Sequence, residues 1–218
     1  MMIPEKHRTI LKERSAALGA KDQFFIPVTS IVVENRTILK CIFGCNGYGN
    51  RVCPPYIPTV DEFRKMLSEY EWALLVEWKS INVFSRDISE NFTRFKTEPP
   101  KDLETKKRFE EAVKTIIRER YEIIQPGVLE LEKLAWSLGY NMALATFPGM
   151  CVWCANDEYT SVECTGESGA CRYPNIRRPC LMGLGIRMDK TLTGLGIQFK
   201  SFPMDNIIPS QYTLLLLD

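Results

Sequence analysis

Histidine is all but absent from this chain, which holds only His7 among its 218 residues. Zinc hydrolases draw on histidine or carboxylate ligands around an open coordination position, so that class is disfavoured. An excess of charge is missing too. Lys and Arg number 28 against 27 Asp and Glu, a formal charge of +1. Without a basic surplus to displace counterions from phosphates, no nucleic-acid partner is expected. Long apolar runs are the third absence. The longest aliphatic stretch, Leu214 to Leu217, is too short to cross a bilayer, and Met1 to Arg8 holds no apolar segment of signal-peptide length. No membrane association is expected, and the localisation read from this is cytoplasmic. Internal repeats and low-complexity tracts are also lacking. With 45% hydrophobic and 25% charged residues, a chain of this length buries an adequate core without covalent staples, and a single domain over 1–218 is the expectation.

What the chain does have is cysteine, eight in all, divided into Cys41, Cys45 and Cys53 and, about a hundred residues on, Cys151, Cys154, Cys164, Cys171 and Cys180. In a reducing compartment clustered thiols serve metal binding or redox chemistry more often than structural bridges. Each group lies in a stretch rich in Gly and Pro. Such loops, 41–55 and 151–180, can turn several thiolates toward one point.

Periodicity places these loops on a coarse scaffold. Pro4 to Leu18 reads as a helix stopped at Gly19. Val28 to Val33 and Thr37 to Phe43 read as a hairpin turning at Asn35-Arg36, which would deliver Cys41 from a strand. Thr59-Val60-Asp61-Glu62 has capping-box form ahead of Phe63, Met66, Leu67 and Tyr70 at helical spacing. Trp72 to Trp78 is a compact strand, and Ser80 to Pro100 a polar excursion with little core of its own. Phe109, Val113, Ile116, Ile117 and Ile124 form a helical stripe that Pro126-Gly127 breaks before Leu131, Ala135 and Leu138 resume it. Asn141 to Phe147 reads as a strand, Asp189 to Leu195 as a short capped helix, and Tyr212 to Leu217 as a buried closing strand. The fold class expected is α/β (or α+β): a mixed sheet flanked by helices, with both cysteine loops leaving strand ends along one edge of the sheet.

Gly44, Gly47 and Gly49 in the first loop let the backbone wrap closely and aim amide hydrogens at sulfur, the means by which a protein stabilises an anionic iron–sulfur cluster. Pro54 after Cys53 turns the chain away, as in the ferredoxin Cys-Pro ending. The Cys151-x2-Cys154 pair has a spacer common to zinc and iron–sulfur ligation. Three cysteines in the first loop leave one position short. If Cys180 is lent to them, eight thiolates complete two four-thiolate sites; if not, the first site keeps an open position at which an exchangeable ligand or substrate could bind. Tyr48, Gly49 and Arg172 are the residues expected to contact a cluster beyond the thiolates. Trp153 would shield one from water, while Trp72, Trp78 and Trp136 read as core. Arg172, Arg177, Arg178 and Arg187 flank the later cysteines, and Asp157, Glu158, Glu163 and Glu167 form an acidic stretch before them, suited to a basic partner. His7 reads as a solvated helix residue.

At these residues the chain resembles the predicted metal-binding proteins known as domain of unknown function 2284. The resemblance is carried by Cys41-x3-Cys45-x2-Tyr48-Gly49-x3-Cys53-Pro54-Pro55-x2-Pro58, by Cys151-x2-Cys154, and by Cys171-Arg172-x-Pro174-x3-Arg178-Pro179 followed by Gly185-Ile186. It implies cysteine-ligated metal, with iron–sulfur as the expected form, in a soluble protein. Two positions depart from the family pattern: nine residues separate Cys154 from Cys164, and Cys180 stands where serine is more usual. The leading expectation is one or two 4Fe-4S clusters in an electron carrier with a redox partner protein. The alternatives are an enzyme with an open-site cluster at Cys41, Cys45 and Cys53, a structural zinc protein that recognises another protein, and a thiol–disulfide module using Cys151 and Cys154, which needs a low-pKa thiolate at a helix start.

Overall fold

The computed structural model describes residues 3–80, 83–96, 98–164, 169–199 and 210–218. In chain order the elements are α1 (Glu5–Ala17), β1 (Ala20–Pro27), α2 (Thr37–Gly44), α3 (Val60–Leu67), β2 (Trp72–Trp78), α4 (Arg86–Phe95), α5 (Leu103–Glu119), α6 (Gln125–Ser137), β3 (Leu144–Ala145), α7 (Met188–Gly194) and β4 (Gln211–Leu217). The strands form one sheet in the order β1-β2-β4-β3, and each neighbouring pair is antiparallel. The fold is therefore α+β.

Burial on both faces explains why β2 and β4 read as nearly unbroken apolar runs. Leu74, Val76 and Trp78 of β2, with Leu215 and Leu217 of β4, pack against Leu11 of α1 and Val128, Leu131 and Ala135 of α6. Their neighbours Ala73, Leu75, Leu214 and Leu216 turn the other way, onto Phe63 and Leu67 of α3 and Met188 and Leu192 of α7. The result is a helix–sheet–helix sandwich in which each buried large side chain contributes about 1.5–3 kcal/mol. The N-terminus of α3 carries the expected capping box, with Thr59 and Glu62 bonding each other's backbone amides.

Several expectations are corrected. No hairpin spans 28–43. The first strand is Ala20–Pro27, Val28–Ser30 is a short 3₁₀ turn, and Thr37–Gly44 is helical, with Thr37 and Cys41 buried four residues apart. The β-branched composition misled because strand propensity mostly reports a half-buried pleated surface, and the sheet edge here is occupied by β1. The 80–100 stretch does have a core. Phe84, Ile88, Phe92 and Phe95 pack on Phe109 and Ala112 of α5 as a separate aromatic cluster.

Pro126 does not break the helix, because it falls in the first turn of α6, just after a π turn at Arg120–Ile124 joins α5 to α6. Gly127 answers a packing need: a Cβ there would lie 2.7 Å from the Trp78 ring. The expected 141–147 strand is reduced to Leu144–Ala145, with Phe147 making one parallel bridge to Cys180, the only parallel pairing among the described residues. The helix after Arg187 lacks a side-chain cap. Trp136 is half-exposed rather than core, and His7 is not simply solvated, since its Nδ1 lies 3.1 Å from the Tyr140 hydroxyl. Among the described residues no helix is long and apolar enough to cross a membrane.

Candidate metal centre

Cys41 reaches the first centre from the buried side of α2 rather than from a loop, whereas Cys45 follows the helix end and faces solvent. From there the chain curls through successive turns, Tyr48 N–H to the Cys45 carbonyl, Asn50 N–H to Gly47 and Cys53 N–H to Asn50. This curl brings Cys53 back beneath Cys45. Gly47 sits between them: a Cβ at that position would be 3.5 Å from the Cys45 sulfur and 3.6 Å from that of Cys53, and only 2.9 Å from Met150 Cβ. The Gly47 amide donates to the Cys45 sulfur at 3.4 Å.

Cys180 arrives at the same place from the other end of the sequence. Its N–H donates to the Val52 carbonyl at 2.9 Å, while Phe147 N–H donates to Pro179 and Leu181 N–H to Phe147. The 179–181 segment is thus threaded between the first loop and the end of β3. The neighbouring Cys53 thiol, the backbone at Gly183 and Met182 and the charge of Arg120 hold the Cys180 thiol below its ordinary pKa despite burial. Cys53, set against Cys180 and desolvated beside Cys45 and Cys41, is pushed up. Burial and the charges of Cys180 and Cys45 push Cys41 up to about 11. These four thiols form one electrostatically coupled foursome, and Cys180 is the sulfur best prepared to be an anion.

The remaining four form a second. Burial, opposed by the Trp153 amide, pushes Cys151 up to about 12, with smaller contributions from Cys164, Cys154 and Cys171. Cys154 is raised by burial and by Cys164 and Cys171, and lowered by Arg172. The nine-residue spacer before Cys164 is a small folded-back loop. Ala155 and Val162 bridge antiparallel, Asn156 accepts the amides of Thr160 and Ser161, and Glu163 N–H donates to the Cys154 carbonyl. The long spacer therefore returns Cys164 to Cys154. The Tyr173 amide donates to the Cys171 sulfur and the Arg51 amide to that of Cys164, each at 3.4 Å. Arg51 belongs to the first loop, so this last bond ties the two foursomes together.

The other residues singled out above fall as follows. Tyr48 is exposed over the first loop; Gly49 adopts a left-handed φ of 86° and its amide donates to Pro54. Arg172 faces Cys154. Trp153 packs edge-on against Tyr121 and donates from its indole to the Ile176 carbonyl. Arg178 is committed to an ion pair with buried Glu132, and Arg187 to Glu34 and Asp189, so neither faces a cysteine group. Glu167 lies outside the described residues. No helix starts at Cys151, whose raised pKa does not suit a thiol–disulfide nucleophile.

Arg120 was missed. It stands at the start of the π turn, half-buried, its Nε donating to Gln211 at 2.6 Å while Cys180 and Cys45 act on it electrostatically. The signal was present: position 120 continues the buried stripe of Ile116, Ile117 and Ile124, where a cation needs a partner. Lys96 also lies near Cys45, but it is exposed and its charge is correspondingly screened.

Among the described residues, no three Cys, His, Asp or Glu side chains converge tightly enough to hold one metal ion. A tetrahedral zinc with Zn–S bonds near 2.3 Å would need sulfurs only about 3.8 Å apart. The foursomes are looser than that, yet their donor chemistry is that of a metal–thiolate site: four sulfurs together, amide hydrogens aimed at them and a glycine where a side chain would intrude. A family model described as predicted metal-binding protein, domain of unknown function 2284, matches residues 24–217. The chain belongs to that family. Neither the curated proteins nor the solved structures hold a match to it. The domain of unknown function 2284 thus takes in β2, β3, β4, the second half of β1 and all eight cysteines, and leaves α1 outside its match.

Proposed function

We propose that each foursome holds an iron–sulfur cluster of the 4Fe-4S type, and that the protein carries electrons to or from a redox partner. The observation behind this reading is the division of eight thiols into two groups of four, in which three sulfurs, those of Cys45, Cys164 and Cys171, accept backbone amide hydrogens. Such donors spread the charge of a thiolate-bound cluster and raise its potential. Thiolates of one cluster bind different irons, so they stand further apart than the ligands of a single zinc, which suits the looser foursomes. The bond from the Cys180 amide to the Val52 carbonyl, which sets Cys180 beside Cys53, favours two closed sites over an open first site.

The clusters would supply one-electron chemistry; the chain supplies their setting. Cys180 enters as the readiest thiolate, Arg120 offsets the anionic charge of the first site, and the Arg51 amide links the first loop to Cys164. Solvent-facing Cys45, beside exposed Ile42, Phe43 and Tyr48, is where a redox partner would approach the first cluster. Anaerobic purification followed by iron and acid-labile sulfide analysis, with visible absorption and electron paramagnetic resonance before and after reduction, tests the reading. About eight irons and eight sulfides per chain, bleached by dithionite, are expected for two cubane clusters. Colourless protein with stoichiometric zinc and no sulfide after anaerobic reconstitution would establish the structural-zinc alternative instead.

A further inference from the structure

A cavity of about 460 Å³ opens between the first loop, α3 and β3. Its walls are largely apolar: Val52, Ile57, Phe63, Leu144, Leu184 and Leu216. Two guanidinium groups interrupt them. Arg51 stacks over the Tyr56 ring at 4.0 Å, and Arg177 donates from Nη1 to the Arg51 carbonyl at 3.1 Å, which anchors the Arg177 side chain to the backbone of the first loop. Among the described residues neither pairs with a carboxylate, in contrast to Arg178 beside them, which Glu132 neutralises. A second polar group, Glu69, Tyr70 and Asp218, also lines the cavity; there the Tyr70 hydroxyl donates to the Met142 carbonyl and Asp218 accepts the Met142 amide.

An apolar cleft of this size carrying a few placed polar groups is the usual form of a small-molecule site. Guanidinium forks match a carboxylate in a geometry that a lysine or a neutral donor does not reproduce. We propose that this cavity binds a small organic carboxylate, its anionic head taken by Arg51 and Arg177 and its apolar body lying along Val52, Ile57, Leu184 and Leu216. Dianions are disfavoured by Glu69 and Asp218. Val52 and Pro179 precede Cys53 and Cys180 in the chain and line the cavity, so the ligand sits one residue away from two first-site thiols. The site itself needs no metal.

The test is calorimetric titration of the protein, purified anaerobically, with phenyl-substituted carboxylates from benzoate to 4-phenylbutyrate, and with 4-phenylbutylamine and 4-phenylbutan-1-ol as controls of the same body. Saturable binding of at least one carboxylate, ten-fold or more tighter than either control, is expected. Arg51→Gln and Arg177→Gln should each weaken it at least ten-fold, and Met66→Trp, at a half-exposed lining position, should block it by filling the cavity. No binding by any carboxylate, equal binding of amine or alcohol, or an affinity unmoved by both arginine substitutions would overturn the proposal. Iron and sulfide measured on the same samples keep the two readings apart: binding without iron sinks only the cluster assignment, and iron without binding sinks only this one.

Discussion

The Cys180 thiol is held below its ordinary pKa chiefly by the neighbouring Cys53 thiol, with the backbone at Gly183 and Met182 and the charge of Arg120 adding to the effect. Replacing Cys180 by alanine removes the sulfur that draws the first foursome together, and iron content is expected to fall to about half that of the unsubstituted protein while the signal of the second cluster persists. Iron retained at both sites would show that Cys180 is not a required ligand. The sequence supplied the count of eight and the suggestion of a loan, because thiol number and spacing are one-dimensional facts. It marked Arg120 as a cation on a buried stripe but could not assign it to the first site, since nothing local links the π turn to residues 45 and 180. The nine-residue spacer before Cys164 looked like a departure from the family pattern for a related reason. Its length is visible in sequence, but the Ala155–Val162 bridge that cancels it is a folded contact.

Elements divide by whether local chemistry or distant packing fixes them. The start of α3 was legible because a capping box is a four-residue device. Thr59→Ala should cost about 1 kcal/mol in urea unfolding, with little change in iron content. By contrast, α2 was misread because its residues favour strand in isolation, and only the burial of Thr37 and Cys41 on one side of a helix decides the matter. The 175–180 segment has no regular structure of its own; the pair of Arg178 with Glu132 on α6 pins it. The Glu132 side chain is only 1% exposed, and it also accepts the Ala145 amide at 2.7 Å. Arg178→Ala leaves that carboxylate buried without its cation and should destabilise the protein by about 3–5 kcal/mol, again read by denaturant unfolding. A loss below 1 kcal/mol would show that the carboxylate finds another partner or solvent.

Across the whole molecule, the sheet is covered on both faces while the aromatic cluster of α4 and α5 stands apart from both sheet cores. Local openings follow such divisions. Amide exchange in α4 should therefore be faster than in β2 or β4, whose residues lie at the centre of the sheet, and Phe92→Ala should accelerate exchange in α4 without exposing β2. Equal protection of α4 and β2 would mean that the excursion unfolds only with the rest. Cys53 and Cys180 of the first foursome and Cys151 of the second sit in the core of the α1 and α6 face, so both centres rest on the stable part of the fold.

The sequence by itself determined the chemistry available: eight thiols, one histidine, balanced charge, two largely apolar strands and a capped helix. Those properties reside in residue identity and short spacing. The tertiary structure decided which thiols belong together, which charges face them and where a ligand-sized cavity lies. For the first site and the cavity those include contacts more than a hundred positions apart, such as Cys180 with Val52 and Arg177 with Arg51, formed when a two-sided sheet core folds the later part of the chain onto the earlier.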